Sequence, residues 1–346
     1  MTRALGVGVV GCGIIAARYV EDSPAFAHWR PVACADLDAD SADAFAGRHG
    51  LRALPVDALL ADPEVDLVLN LTPPKAHAPL VAAAFAAGKH VYTEKPLAAT
   101  AVEARELVAA AERSGLRLGC APDTFLGGAY EAGRRLIEEG ALGRPLGAQA
   151  TMLVGGADGW HPNAEMFFRA GGGPLLDIAP YYLTALVSLL GRIEAVAGFA
   201  ETPTPERVLG VGPRAGQTVV VEVPTHTASV LRLASGALAT LTVSFEARGQ
   251  YLSGLVVHGT EGSLVLPDAN AFGGDVVLRR GSEEEAVPYT SLGAREARGL
   301  GLDDLALALR EDRPHRASGE LALHVLEAAE AAEFAAAERR VVELPS

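Results

Sequence analysis

The stretch LGVGVVGCGIIA, residues 5–16, decides the fold. Its first six residues read as an apolar strand, and Gly11, Gly13 and Ala16 follow as G-x-G-x-x-A at the entrance to a helix. The first glycine permits a tight strand-to-helix turn, the second lets backbone approach a pyrophosphate, and Ala16 keeps helix close to sheet. The helix start at Ile14 and Ile15 favours an anion. A purely structural turn would carry the same glycines, but two features of the context point to a dinucleotide. The turn follows an apolar strand, and Asp36 ends the next one, PVACA (31–35). A carboxylate there accepts hydrogen bonds from both ribose hydroxyls, unless it is only an exposed turn residue. A 2′-phosphate would meet like charge, about 4 kcal/mol per unit charge at 4 Å with an effective dielectric of 20. Leu37, the next residue, is no arginine to offset that repulsion. NAD is therefore expected, with NADP the poorer fit.

Outward from this turn, short apolar runs alternate with helical patterns. The runs are VDLVLNL (65–71), HVYT (90–93) and LRLGCA (116–121); the helices include 78–88 and 100–115. Uniformly apolar strands separated by helices predict a parallel sheet covered on both faces. The fold class expected is α/β, with a Rossmann doubly wound domain over 1–122. In 123–346 the pattern changes. A helix (129–140), a strand (146–154), a Gly-rich loop and the apolar helix LLDIAPYYLTALVSLLG (175–191) precede strand-like runs from about 193 to 290. Turn residues separate those runs, which predicts a mostly antiparallel sheet. Two helices, near 298–311 and 318–338, close the chain.

The formal net charge is −14 with no basic block, which speaks against nucleic acid or an anionic membrane surface as partner. No segment nears the roughly 18 apolar residues of a membrane span, and the N-terminal run is too short for a signal peptide. Cys12, Cys34 and Cys120 sit in apolar runs without metal spacing. They read as buried free thiols of a reducing compartment, the cytoplasm. No zinc constellation is visible among the nine histidines, and no metal is expected.

Three further stretches, NLTPPKAH (70–77), AGKHVYTEKP (87–96) and GGGPLLDIAPYY (171–182), join the glycine turn in one order. With VVHGTEGSLVLP (256–267), the chain resembles the glucose–fructose oxidoreductase / inositol dehydrogenase / rhizopine-catabolism (Gfo/Idh/MocA) family over nearly its whole length. The resemblance implies that a large open sheet follows the Rossmann domain. It also implies oxidation or reduction at a secondary alcohol or ketone of a sugar, cyclitol or related small molecule. By the same resemblance Thr72 and Pro73 border the cofactor, His77 lies beside it, and Glu94 and Lys95 form the E-K-P whose lysine points at substrate and nicotinamide. Read from the residues alone, Thr72-Pro73-Pro74 is equally a helix entry and His77 a capping residue. Lys95 ends a strand, where ligands bind in open parallel sheets.

Family members often place aspartate and histidine four apart after the glycines; here Asp177 and Tyr181 stand there. That spacing puts both on one helical face. A phenol can exchange the proton that accompanies hydride transfer if a nearby ammonium, such as Lys95, lowers its pKa. Tyr181 could instead be a core aromatic, as Tyr182 is read to be. Asp123 either faces the active cleft or caps the next helix. Trp160 and His161 in GWHPN either touch substrate or form a solvated turn. Arg169 pairs with a phosphate or lies on the surface. A non-catalytic dinucleotide-binding regulator is the alternative class, opposed by the retained Lys95, Asp177 and Tyr181. An exposed sheet face implies a homodimer or homotetramer.

Overall fold

The computed structural model describes residues 3–249, 251–290 and 297–345. The chain divides into two compact units, Met1–Asp123 with Arg295–Leu323, and Thr124–Ala294 with His324–Ser346. Residues 123–346 are thus not one domain. The segment after Ala294 returns to the first unit because its groups complete that unit's interior: Gly299 and Gly301 donate their amides to Asp123 (3.3 and 2.9 Å).

In the first unit six strands lie all parallel in the order β3-β2-β1-β4-β5-β6. They are β1 (Leu5–Val10), β2 (Trp29–Ala35), β3 (Arg52–Ala53), β4 (Leu67–Asn70), β5 (His90–Thr93) and β6 (Leu118–Cys120). Helices α1 (Ile14–Asp22), α2 (Ala39–His49), α3 (Val56–Ala61), α4 (Pro74–Ala86) and α5 (Ala101–Ser114) connect them. All four residues of β4 are buried, as expected of a strand covered on both faces. The two-residue β3 lacks an apolar run, and the sequence reading missed it. The thiols of Cys34 and Cys120 are buried; Cys12 is only half-buried, because it lies in the glycine turn rather than in the strand.

The second unit begins with α6 (Gly128–Glu138), β7 (Pro145–Leu153), α7 (Pro174–Asp177) and α8 (Ala179–Leu190). Then come β8 (Ile193–Glu201), β9 (Glu206–Val208), β10 (Thr218–Val220), β11 (His226–Leu233), β12 (Leu238–Ser244), β13 (Leu252–Gly259), β14 (Ser263–Leu266), β15 (Val277–Arg280) and β16 (Glu283–Ala286). Helix α9 (Leu300–Glu311) belongs to the returning segment; α10 (Gly319–Glu338) and β17 (Val342–Glu343) end the chain. Nine strands form one sheet in the order β16-β15-β14-β13-β7-β12-β11-β8-β17, antiparallel except between β7 and β12.

The two faces of this sheet differ. One row in register, Val196, Leu231, Ala239, Ala148, Val257 and Leu264, is buried throughout, on the side where α6 and α8 pack. The adjacent row, Ala197, Val230, Thr240, Gln149, Val256 and Val265, is half-buried or exposed throughout. Strand alternation produces this division.

The predicted helix 175–191 is two helices meeting at Ile178. Pro180 has no N–H to donate to Leu176, so the ladder is interrupted there. Asp177 therefore ends α7 and Tyr181 lies in the first turn of α8.

Candidate active site

Gly11 adopts φ +96°, and a Cβ there would lie 2.6 Å from the Leu71 carbonyl oxygen, so no side chain is tolerated. A Cβ on Gly13 would meet nothing within 4 Å, which leaves its backbone approachable. Among the described residues no side-chain cap hydrogen bond is made at Gly13, the N-cap of α1, and Gly13, Ile14 and Ile15 are exposed or half-buried at its start. These features fit a pyrophosphate received by the amides of a helix start. The Asp36 carboxylate accepts from the Cys12 amide (2.8 Å) and the Asp38 amide (3.0 Å), which locks it beside the turn. Each oxygen retains a lone pair for a ribose hydroxyl. Leu37 is 99% exposed and brings no charge.

The next two loops are tied together by one ring. His77 is fully buried; its Nδ1 lies 2.7 Å from the Pro96 carbonyl oxygen and its Nε2 2.8 Å from that of Thr72. Both nitrogens are turned to protein backbone, so the ring braces the Thr72-Pro73 loop against the E-K-P loop. Burial pushes its pKa down, against the pull of the two carbonyls. A neutral imidazole donates to only one of them at a time. Asn70, also buried, adds to the brace: its Oδ1 accepts from the Thr72 hydroxyl (2.7 Å) and amide (3.2 Å).

At the carboxyl end of β5, Glu94 accepts from the Lys95 amide (2.9 Å) through one oxygen and from the Tyr19 hydroxyl (3.1 Å) through the other. Burial, with the Glu94 charge adding to it, pushes the Tyr19 phenol well above its ordinary value, so it stays a donor. Lys95 is half-buried. Tyr19 was not legible as a site residue. Its position on the apolar side of α1 signals burial only, and nothing in its spacing announces a partner 75 residues away.

Asp123 is turned inward. It is fully buried, its Oδ2 caps α9 through Gly299 and Gly301, and burial pushes its carboxyl above the usual range while Arg298 opposes the shift. Capping, the second of its two readings, is what the geometry provides, though for a helix nearly 180 residues away rather than the next one.

In the second unit Asp177 and Tyr181 are both half-buried, whereas Tyr182 is fully buried and donates to Asp268 (2.8 Å). The Gly-rich loop before them is fixed by Gly173, whose amide donates to the Phe167 carbonyl (2.8 Å) and whose carbonyl accepts from Asp177 (3.0 Å). Arg169 is engaged by carboxylates, Glu165 at 2.7 Å and Glu222 at 2.5 Å. Trp160 is 66% exposed and His161 half-buried. Among the described residues no group of three or more His, Cys, Asp or Glu is arranged to hold a metal. No helix there is long and apolar enough to cross a membrane.

Two family models match the chain: "Oxidoreductase family, NAD-binding Rossmann fold" over residues 5–121, and "GFO/IDH/MocA C-terminal domain" over residues 130–265. The protein belongs to the Gfo/Idh/MocA family. It is an oxidoreductase, and residues 5–121 match the family's NAD-binding domain. Among relatives, the 1,5-anhydro-D-fructose reductase of Ensifer adhaerens is 31% identical over 288 residues, 81% of this chain and 82% of that protein. The dTDP-3,4-didehydro-2,6-dideoxy-alpha-D-glucose 3-reductase of Streptomyces violaceoruber is 33% identical over 341 residues, 89% of this chain and 93% of its own. A levoglucosan dehydrogenase solved with NADH and levoglucosan superposes with a TM-score of 0.85 at 26% identity, covering 99% of this chain and 100% of that one. In this member of the Gfo/Idh/MocA family, Gly11, Gly13, Ile14, Ile15 and Asp36 form a turn whose geometry could hold the dinucleotide. When bound, its nicotinamide supplies hydride-transfer chemistry.

Proposed function

We propose that this protein moves a hydride between the nicotinamide of NAD and a secondary alcohol of a sugar, cyclitol or glycoside. Lys95, Tyr181 and Asp177 carry the chemistry in this reading. Tyr181 or Lys95 takes the hydroxyl proton, the Lys95 ammonium stabilises the alkoxide, and Asp177 holds a neighbouring hydroxyl. Thr72, Pro73, Glu94 and Leu37 flank the cofactor, and Trp160 and His161 reach the substrate. His77 is read as acting through the loops it braces. The observation that carries the reading is the anchoring of Glu94 by Tyr19 and by the Lys95 amide. A carboxylate bound on both oxygens holds the backbone of the lysine to one geometry, which is what a proton-handling group requires.

One observation favours the reductive direction as a second reading: the Streptomyces relative, aligned over 89% of this chain, is a 3-reductase of a dTDP-linked keto-sugar. The same residues would serve, with the proton delivered instead of removed. Free thiols agree with a cytoplasmic site of action. The open face of the nine-stranded sheet supports a homodimer or homotetramer.

A turnover screen decides between the directions. Sugars, cyclitols and glycosides with NAD, and keto-sugars with NADH, are assayed by absorbance of the reduced cofactor. Oxidation of at least one polyol or glycoside is expected. Inactivity with every compound in both directions would overturn the proposal.

A further inference from the structure

The loop between β7 and α7 holds an exposed indole in a fixed place. Trp160 is 66% exposed, although burying a tryptophan is among the larger apolar gains open to a chain. It is nonetheless ordered against other rings. His161 meets it edge-on at 5.4 Å, Phe167 meets His161 edge-on at 5.1 Å, and Phe167 contacts Phe245 at 6.5 Å, which is 2% exposed. Trp160 is thus the outermost ring of a stack rooted in the core.

The loop is braced from behind by Arg207, itself 2% exposed. Its guanidinium donates to the Gly155 carbonyl (3.3 Å), the Phe245 carbonyl (3.0 Å) and Glu246 (2.7 Å), and reaches Asp158 at 3.5 Å. The Gly210 amide donates to the Asp158 carbonyl (2.8 Å). Removing a guanidinium from water is unfavourable unless its donors are met. Here most of them are met by the loop and its support, so the exposed ring sits on a rigid mount.

The polar edge of this shelf is fixed as well. The Asn163 amide donates to His161 Nδ1 (3.1 Å), so the neutral ring carries its proton at Nε2 and presents a donor there. The shelf also connects to the reacting end of the same unit. Gly173, whose amide donates to the Phe167 carbonyl, accepts from the Asp177 amide.

We infer that Trp160 and His161 form a sugar-stacking subsite. A second pyranose ring of a glycoside would lie with its C–H face on the indole and accept from His161 Nε2–H through a hydroxyl. This rests on the reading of Asp177 and Tyr181 as sugar-handling residues and extends it to the size of the substrate: a disaccharide or glycoside rather than a free monosaccharide. A preorganised aromatic face contributes affinity because no ordering is left to be done on binding.

The test uses the fact that the chain has two tryptophans, Trp160 and the buried Trp29. Intrinsic emission of the full-length protein with NADH is titrated with gluco-, manno- and galacto-configured disaccharides and with their monosaccharides, with excitation near 295 nm. At least one disaccharide is expected to change the emission saturably and to bind tenfold or more tighter than its monosaccharide, with the change lost in Trp160→Ala. In turnover, Trp160→Ala is expected to lower kcat/KM for that disaccharide by tenfold or more, and to lower it for the monosaccharide by a clearly smaller factor. Equal losses on both sugars, or no disaccharide response at Trp160 across the panel, would overturn the subsite. Emission reads the subsite without turnover. A disaccharide that binds but is never oxidised or reduced would therefore refute the proposed reaction while leaving the subsite standing.

Discussion

Lys89 and Lys95 are two of only three lysines among 29 basic residues, and they have different surroundings. Lys89 donates its ammonium to the carbonyls of Asp62 (3.0 Å) and Val65 (2.7 Å), a structural tie. Lys95 instead has its backbone held by its own neighbour, Glu94. Arginine keeps charge but is broad and permanently protonated. Lys95→Arg is therefore expected to be nearly as inactive as Lys95→Met, with NADH affinity changed far less than kcat; steady-state rates beside a nucleotide titration make the comparison. Tyr181→Phe should lower kcat by about 10²–10⁴-fold while keeping NADH affinity, and Tyr181→His should be milder. A fully active Tyr181→Phe enzyme would leave the proton to Lys95. At the adenosine end, Asp36 is locked by two amides and Leu37 is open to solvent. The wild type should bind NADH more tightly than NADPH by calorimetry, and Asp36→Ser with Leu37→Arg should narrow or reverse that order.

Two histidines act through the elements they join, and neither role shows in a string of letters. His77 links two loops through carbonyls separated by 24 residues of chain. His77→Phe retains bulk but leaves the carbonyl that accepts the ring's single N–H without a donor, at about 1–3 kcal/mol. Thermal unfolding should record a clear loss of stability, and kcat/KM should fall with a larger share in kcat. His77→Gln should restore part of both. In the other unit His324 is 1% exposed, and its Nε2 accepts from the Ile193 amide (2.9 Å) at the start of β8. Burial, helped by the Arg192 charge, lowers its pKa from 6.5 to about 4. Above pH 6.5 the ring is neutral folded or unfolded. As pH falls from 6.5 towards 4 the unfolded chain takes up the proton first, so stability is lost, by roughly 3 kcal/mol for a buried group. His324→Gln should flatten the stability profile across that window in chemical denaturation at a series of pH values. The break at Ile178 belongs to the same scale. The apolar run 175–191 reads as one helix by periodicity, and only attention to the missing N–H of Pro180 divides it.

At the scale of the whole chain, the half-buried or exposed row Ala197, Val230, Thr240, Gln149, Val256 and Val265 is a weakly polar surface. Val230→Arg should shift sedimentation towards monomer if this face pairs copies. An unchanged oligomer would place the interface elsewhere. The first five long parallel runs and the glycine turn were legible because burial on both faces forces continuous apolar letters. Asp36, Lys95 and the Asp177/Tyr181 pair could be put forward as candidates from the sequence because motifs are local. The brace at His77, the Tyr19–Glu94 contact and the inward turn of Asp123 were not legible, since each joins residues far apart in sequence. Asp123 also has a bearing on synthesis. The nucleotide-binding unit is begun first, but its last segment is made only after residue 294. Until residues 299–301 have left the ribosome, Asp123 lacks both the amides that its Oδ2 accepts from and the segment that covers it. A nascent chain therefore makes these two contacts only after 176 and 178 further residues have been translated. Truncations near residue 294, far from the glycine turn in sequence, should be read as lesions of the nucleotide domain.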